Sequence, residues 1–312
     1  MKLSLTLKQN NMNTVYLFAG QGQQFLNMGS DLYNRYDCVK KRYDEATDVL
    51  GYDVLNLSAE QLNETQYTQP ALFVLEAAIT DYLNEQGISY DAVTGLSLGE
   101  YGALYAAGVI SFTDGLEIVS KRGKMMQSAF EPYETSMAAV LKTDFELIKP
   151  YLSKGNVEVC NFNTQQQIVI GGKREELEAT IETMKSDGIK RVIPLNVSVV
   201  SHMSLLKETS KELFKVLKEA KFKEPQVVFV NNLEGTSQSS GFIETLSRHI
   251  SEPTHFETSI LGLLEQGVRK FVEIGPKGSL SKLVKDISKQ KDIQVETWNL
   301  YDVETVEEFI HE

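Results

Sequence analysis

Two hydrophobic periods divide the chain. Short, largely apolar runs, Val15-Tyr16-Leu17-Phe18, Asp91-Ala92-Val93-Thr94, Val227-Val228-Phe229-Val230 and residues 268–274, have the length and β-branched content of buried strands. Helical spacing fills the stretches between them. Residues 31–50 predict one helix stopped by Gly51. Gln69-Pro70 opens another over 71–86, with Leu72, Leu75, Ile79 and Leu83 on one face and Gly87 as its stop. Further helices are predicted over 103–107, 114–127 (capped by Ser111), 204–220, 243–250, 256–265 and 280–288. An edge strand is expected over 295–300. Strands that alternate with helices argue for a mostly parallel sheet.

The pattern changes near Glu131-Pro132. Strand-like 137–141, helix-like 144–152, strands 157–161 and 167–170 as a hairpin, helix 174–186 and strand 191–195 follow one another. This β-α-β-β-α-β order is the ferredoxin-like supersecondary pattern. The expected organisation is a flexible tail over 1–12, a large α/β domain formed by 13–134 and 200–312, and an inserted ferredoxin-like subdomain over 135–199.

Composition narrows the function classes. The 312 residues hold 43 acidic and 31 basic side chains, a net charge of −12, which disfavours nucleic acid as a partner. Only Cys38 and Cys160 occur, with no CxxC, so a disulfide framework is unsupported and a reduced cytoplasmic setting fits. The four histidines, His202, His249, His255 and His311, show no metal-ligand spacing, so no metal is expected. No apolar run approaches the length of a membrane helix.

The chemistry centres on Gly95-Leu96-Ser97-Leu98-Gly99-Glu100. A strand before Gly-x-Ser-x-Gly and a small apolar helix after it form the layout of a nucleophile elbow. The same residues also suit a plain glycine-rich strand-to-helix turn. A serine nucleophile needs an adjacent base. Of the four histidines, His202 stands at a domain crossing just before a helix, and His311 lies in a terminal tail. Gly20 and Gly22 at the end of the first strand match neither a dinucleotide fingerprint nor a P-loop. Arg122, in Lys121-Arg122-Gly123-Lys124, reads on its own as a solvated arginine.

Taken together, Gly20-Gln21-Gly22-x-Gln24, Thr68-Gln69-Pro70-Ala71, Gly95-x-Ser97-x-Gly99-Glu100-Tyr101 and Arg122-Gly123-Lys124-x-Met126-Gln127 form an ordered series. Asn161-x-Asn163, Val199-x-Ser201-His202, Asn231-Asn232 and Glu273-Ile274-Gly275-Pro276 continue it. In these motifs the chain resembles malonyl-CoA:acyl-carrier-protein transacylases from Val15 to about Ile287. The resemblance implies a large α/β-hydrolase-like domain with a mostly parallel sheet and the ferredoxin-like insertion.

It also implies ping-pong transfer of a malonyl group through Ser97 with His202 as base. The backbone amides of Gln21 and Leu98 would form the oxyanion hole, and Arg122 would hold the malonyl carboxylate. The backbone carbonyl of residue 249 would orient His202, with Gln69 and Asn163 as pocket residues. The implied partners are malonyl-CoA and the phosphopantetheine of an acyl carrier protein, in fatty acid or polyketide biosynthesis. The enzyme would be a monomer with no permanently bound cofactor.

Two positions depart from the commonest pattern: Leu96 stands where histidine is frequent, and His249 where glutamine or asparagine is. Leu96 resembles free-standing acyltransferases that serve polyketide synthases. Lys121, Lys124, Lys277, Lys282 and Lys285 are candidate contacts for an acidic carrier. The rival readings are a hydrolase that discharges Ser97 to water, an inactive docking scaffold, and an α/β-hydrolase esterase.

Overall fold

The computed structural model describes residues 12–195, 197 and 199–312. The tail expected over 1–12 therefore falls, except for Met12, outside the described residues. The chain begins with β1 (Thr14–Phe18), followed by α1 (Ser30–Arg35), α2 (Asp37–Leu50), α3 (Ala59–Leu62) and α4 (Thr65–Glu85). Next come β2 (Ala92–Gly95), α5 (Gly99–Ala106) and α6 (Phe112–Ser128). A second group follows: β3 (Thr135–Leu141), α7 (Phe145–Gly155), β4 (Glu158–Thr164), β5 (Gln167–Lys173), α8 (Arg174–Ser186) and β6 (Val192–Pro194). The chain ends with α9 (Lys207–Leu217), β7 (Val228–Phe229), α10 (Phe242–His249), α11 (Phe256–Glu265), β8 (Lys270–Ile274), α12 (Ser279–Gln290), β9 (Glu296–Leu300) and α13 (Val303–His311).

The first sheet is parallel, in the order β7-β2-β1-β8-β9. Its central strand β1 is buried from Val15 to Phe18, which is why that run is apolar without alternation. The second sheet is antiparallel, in the order β4-β5-β3-β6, as the β-α-β-β-α-β reading requires. Its strands alternate. Ala138 and Val140 pack under α7 and α8, whereas Met137, Ala139, Cys160 and Val169 face Val200 and Met203. The second sheet thus backs the segment that carries His202.

Several expected elements differ. The helix expected over 31–50 is two helices, because Tyr36 is extended (φ −125°, ψ 125°). That break lets its ring stack on Tyr82 at 3.8 Å and its hydroxyl donate to Glu307 at 2.9 Å. The helix expected to open at Pro70 starts a turn earlier, at Thr65. Proline removes one hydrogen bond there, and Gln127 Oε1 caps Thr65 N from α6 at 3.0 Å. The strand expected over 227–230 is two residues of an edge strand, with only Phe229 buried. His311 ends α13, which opens on a capping box at Asp302 and Thr305, so it does not lie in a terminal tail.

Candidate active site

Ser97 stands between β2 and α5 with φ 57°, a left-handed conformation that is uncommon for a non-glycine residue. The flanking glycines permit it. A Cβ on Gly95 would strike the Gly99 backbone, and one on Gly99 would strike the Phe18 carbonyl. The strained turn is held by Asn232, which is fully buried. Its Oδ1 accepts from Ser97 N at 2.7 Å and its Nδ2 donates to Gly95 O at 2.6 Å. Sequence reasoning recognised Asn231-Asn232 as a motif but gave Asn232 no role. A lone asparagine carries no signal of a contact made 135 residues away.

His202 is also left-handed (φ 60°) and 1% exposed. Its backbone N–H donates to Ile250 O at 3.0 Å. Its Nδ1 lies 2.7 Å from the His249 carbonyl and its Nε2 lies 2.7 Å from Ser97 Oγ. A carbonyl can only accept, so the proton sits on Nδ1 and bare Nε2 faces the serine hydroxyl. Burial holds the His202 pKa well below its ordinary value, and His249 and Arg122 push the same way. A neutral imidazole ready to take a proton follows. The His249 ring stacks on that of His202, with centroids 4.4 Å apart.

Arg122, on α6, is 2% exposed and so departs from the solvated arginine that its local sequence suggests. Its guanidinium carbon lies 5.6 Å from the Tyr101 ring centroid. Nη1 is buried without a hydrogen-bond partner among the described residues. Burial lowers its pKa. A desolvated guanidinium that no ion pair among the described residues neutralises is a costly arrangement, and a planar carboxylate would relieve it.

The loop after β1 presses on the elbow, since a Cβ on Gly20 would lie 2.8 Å from Leu96 O. Gln21 Nε2 donates to Thr65 Oγ1 at 3.1 Å, which ties the loop to the start of α4. Among the described residues, no protein acceptor takes the backbone N–H of Gln21 or Leu98. Gln69 is buried on α4 with its amide on Met126 Sδ at 3.4 Å, one helical turn from Arg122, and its Oε1 has no partner among the described residues. Asn163, on β4, is buried with Oδ1 likewise unpartnered, and no described hydrogen bond joins it to Ser97 or His202. No group of three metal-ligating side chains occurs among the described residues. No described helix is long and apolar enough to cross a membrane.

This geometry has counterparts. The family model described as "Acyl transferase domain" matches residues 15–299. The chain is 38% identical over 303 residues to the malonyl CoA-acyl carrier protein transacylase of Bacillus subtilis (strain 168), covering 94% of each. It is 36% identical to the corresponding protein of Escherichia coli (strain K12), covering 87% of this chain and 92% of the other. Among solved structures, the MCAT of Streptococcus pneumoniae superposes with a TM-score of 0.89 at 38% identity, covering 96% of this chain and 99% of that one. A malonyl-transacylase solved in complex with its type II PKS acyl-carrier protein gives a TM-score of 0.91 at 34% identity, covering 96% and 99%. With the elbow, the paired histidine and this likeness over nearly its whole length, the chain belongs to the acyl transferase domain family.

Proposed function

We propose that this protein moves a malonyl group from malonyl-CoA to the phosphopantetheine thiol of an acyl carrier protein, through a malonyl ester of Ser97. The observation that carries the acyl specificity is the buried Arg122, with an unpartnered Nη1, acting on the same His202 that faces Ser97. Ser97 Oγ attacks the thioester carbonyl as its proton passes to His202 Nε2. The backbone N–H groups of Gln21 and Leu98 receive the oxyanion, a contribution of roughly 3–4 kcal/mol for a well-aimed donor. Collapse breaks the C–S bond, and the coenzyme A thiolate leaves with the proton from His202. The carrier thiol then gives its proton to His202 and attacks the ester, and Ser97 leaves reprotonated.

Arg122 would hold the distal carboxylate by two parallel hydrogen bonds. Gln69, next to the Arg122 helix, is the better placed of the two pocket candidates; Asn163 has only its unpartnered Oδ1 in favour. The reaction needs no resident cofactor, and the cytoplasm is its natural compartment. The names of the relatives support the same substrates: the Bacillus subtilis protein is a malonyl CoA-acyl carrier protein transacylase. The solved complex of a malonyl-transacylase with a type II PKS carrier supports a carrier partner and leaves polyketide service open beside fatty acid service.

Incubating the protein with malonyl-CoA and a phosphopantetheinylated carrier tests the reading. Malonyl-carrier is expected to form in large excess over free malonate. Free malonate without carrier acylation would overturn it in favour of hydrolysis.

A further inference from the structure

Glu100 is fully buried at the first turn of α5, three residues after Ser97. Its Oε1 accepts from the backbone N–H of Asn232 at 2.8 Å. Asn232 is the residue whose side chain clamps Ser97 N and Gly95 O. The other Glu100 oxygen, Oε2, lies 2.7 Å from His249 Nδ1, at ion-pair distance but without hydrogen-bond alignment. His249 in turn touches His202 twice, through its carbonyl on Nδ1 and through its stacked ring. One carboxylate therefore stands behind both halves of the Ser97–His202 pair.

The geometry points to Glu100, acting with the His249 imidazole, as a positioning pair that locks the nucleophile and its base into one register. This deepens the reading above and rests on it. A buried carboxylate is retained at a cost unless it is paired, and here each oxygen faces a different arm of the site. The His249 side chain occupies a place where a backbone carbonyl alone would suffice to orient His202. Its ring, stacked on His202, adds a wall against one face of that imidazole. Neither residue touches the reacting atoms.

The groups facing the two imidazoles are Glu100 from α5, Arg122 from α6, His255 from the turn before α11, and the Ser97 hydroxyl. His202 is kept neutral mainly by burial. Loosening its seat admits water and returns its proton affinity toward that of free imidazole. The acid limb of the rate profile then moves to higher pH, because a raised pKa protonates the base sooner as pH falls.

The test measures the rate of Ser97 malonylation by malonyl-CoA against pH, by rapid quench and mass spectrometry. It compares the unaltered protein with Glu100→Gln, His249→Ala and His249→Gln. Glu100→Gln keeps the shape but places a neutral amide against His249. A misplaced base costs on the order of 10- to 100-fold. Both Glu100→Gln and His249→Ala are expected to slow malonylation about that much, with KM for malonyl-CoA unchanged and the acid limb displaced upward. His249→Gln, which restores a polar side chain facing Glu100, is expected to recover part of the rate. Melting curves and KM exclude a merely unfolded variant. If the unaltered protein malonylates Ser97 and Glu100→Gln retains both its rate and its acid limb, the inference is wrong. If the unaltered protein fails to malonylate Ser97, the proposed function itself fails.

Discussion

Glu76, on α4, is fully buried, and neither of its oxygens has a hydrogen-bond partner among the described residues. Burial raises its pKa well above the carboxylate range and nearby Glu273 pushes it further. The folded protein therefore holds a proton at pH values where the unfolded chain has released it. Such a group weakens the fold as pH rises above the unfolded carboxylate value and through the folded one. Glu76→Gln removes that penalty. It is expected to stabilise the protein at pH 8 by about 1–3 kcal/mol, with little gain near pH 4.5, read as urea midpoints at the two pH values. His202 carries the opposite sign of shift. Its neutral form is favoured by burial, so its contribution to stability is present above the ordinary imidazole pKa and fades as pH falls through the lowered one.

At the scale of the element, the elbow depends on three backbones meeting where β2, α5 and the end of β1 converge. Gly99→Ala would drive a methyl group into the Phe18 carbonyl, which cannot yield as a flexible side chain can. The expected loss is about 3 kcal/mol, measured as a drop in the denaturation midpoint together with loss of Ser97 reactivity. This element was legible from its sequence because its chemistry is local: strand, glycines, serine and helix follow one another.

The βαββαβ order was legible for the same reason, and Arg174–Ser186 and Phe256–Glu265 run as the apolar spacing says. What escaped were features set by partners remote in sequence. Tyr36 breaks a helix to reach Tyr82 and Glu307, and Gln127 extends α4 ahead of Pro70. Asn232 and Glu100 clamp the elbow across more than 130 residues. Arg122 reads as solvent-facing because it stands in a basic cluster with Lys121 and Lys124, whereas its own position on α6 is buried.

At the scale of the molecule, the two sheets divide the task of seating the Ser97–His202 pair. β4 joins the loop after His249 through Asn161 Nδ2 to Thr254 Oγ1 at 2.9 Å and Phe162 N to Thr254 O at 2.9 Å. Glu158, on the same strand, accepts from Ser204 N at 2.9 Å, two residues beyond His202. His202 is thereby held from one sheet while Ser97 is held from the other. The net charge of −12 also bears on the partner, since an acidic carrier would be repelled by the molecule as a whole.

A local cationic edge would overcome that. Lys277, Lys282 and Lys285 are exposed, and Lys277 Nζ reaches Gln24 O at 3.4 Å, at the loop that bears Gln21. Lys121 instead faces Glu117 and Glu219 at 3.9 and 3.5 Å. Reversing the three exposed lysines to glutamate is expected to raise KM for the carrier several-fold, more so at low salt. KM for malonyl-CoA should stay unchanged, and an unchanged carrier KM would remove this edge from consideration.

The central claim is that Ser97, activated by neutral His202, takes up an acyl group chosen by Arg122. The most direct measurement is the acyl adduct on the Ser97 peptide after brief exposure to malonyl-CoA or acetyl-CoA, in the unaltered protein and in Arg122→Ala. The account predicts a malonyl adduct on Ser97 in the unaltered protein. In the variant, malonylation should fall by about 100-fold or more, since stranding one partner of a buried pair costs roughly 3–5 kcal/mol, while acetylation holds or rises. Equal malonylation of both proteins, or an adduct on any residue other than Ser97, would contradict it.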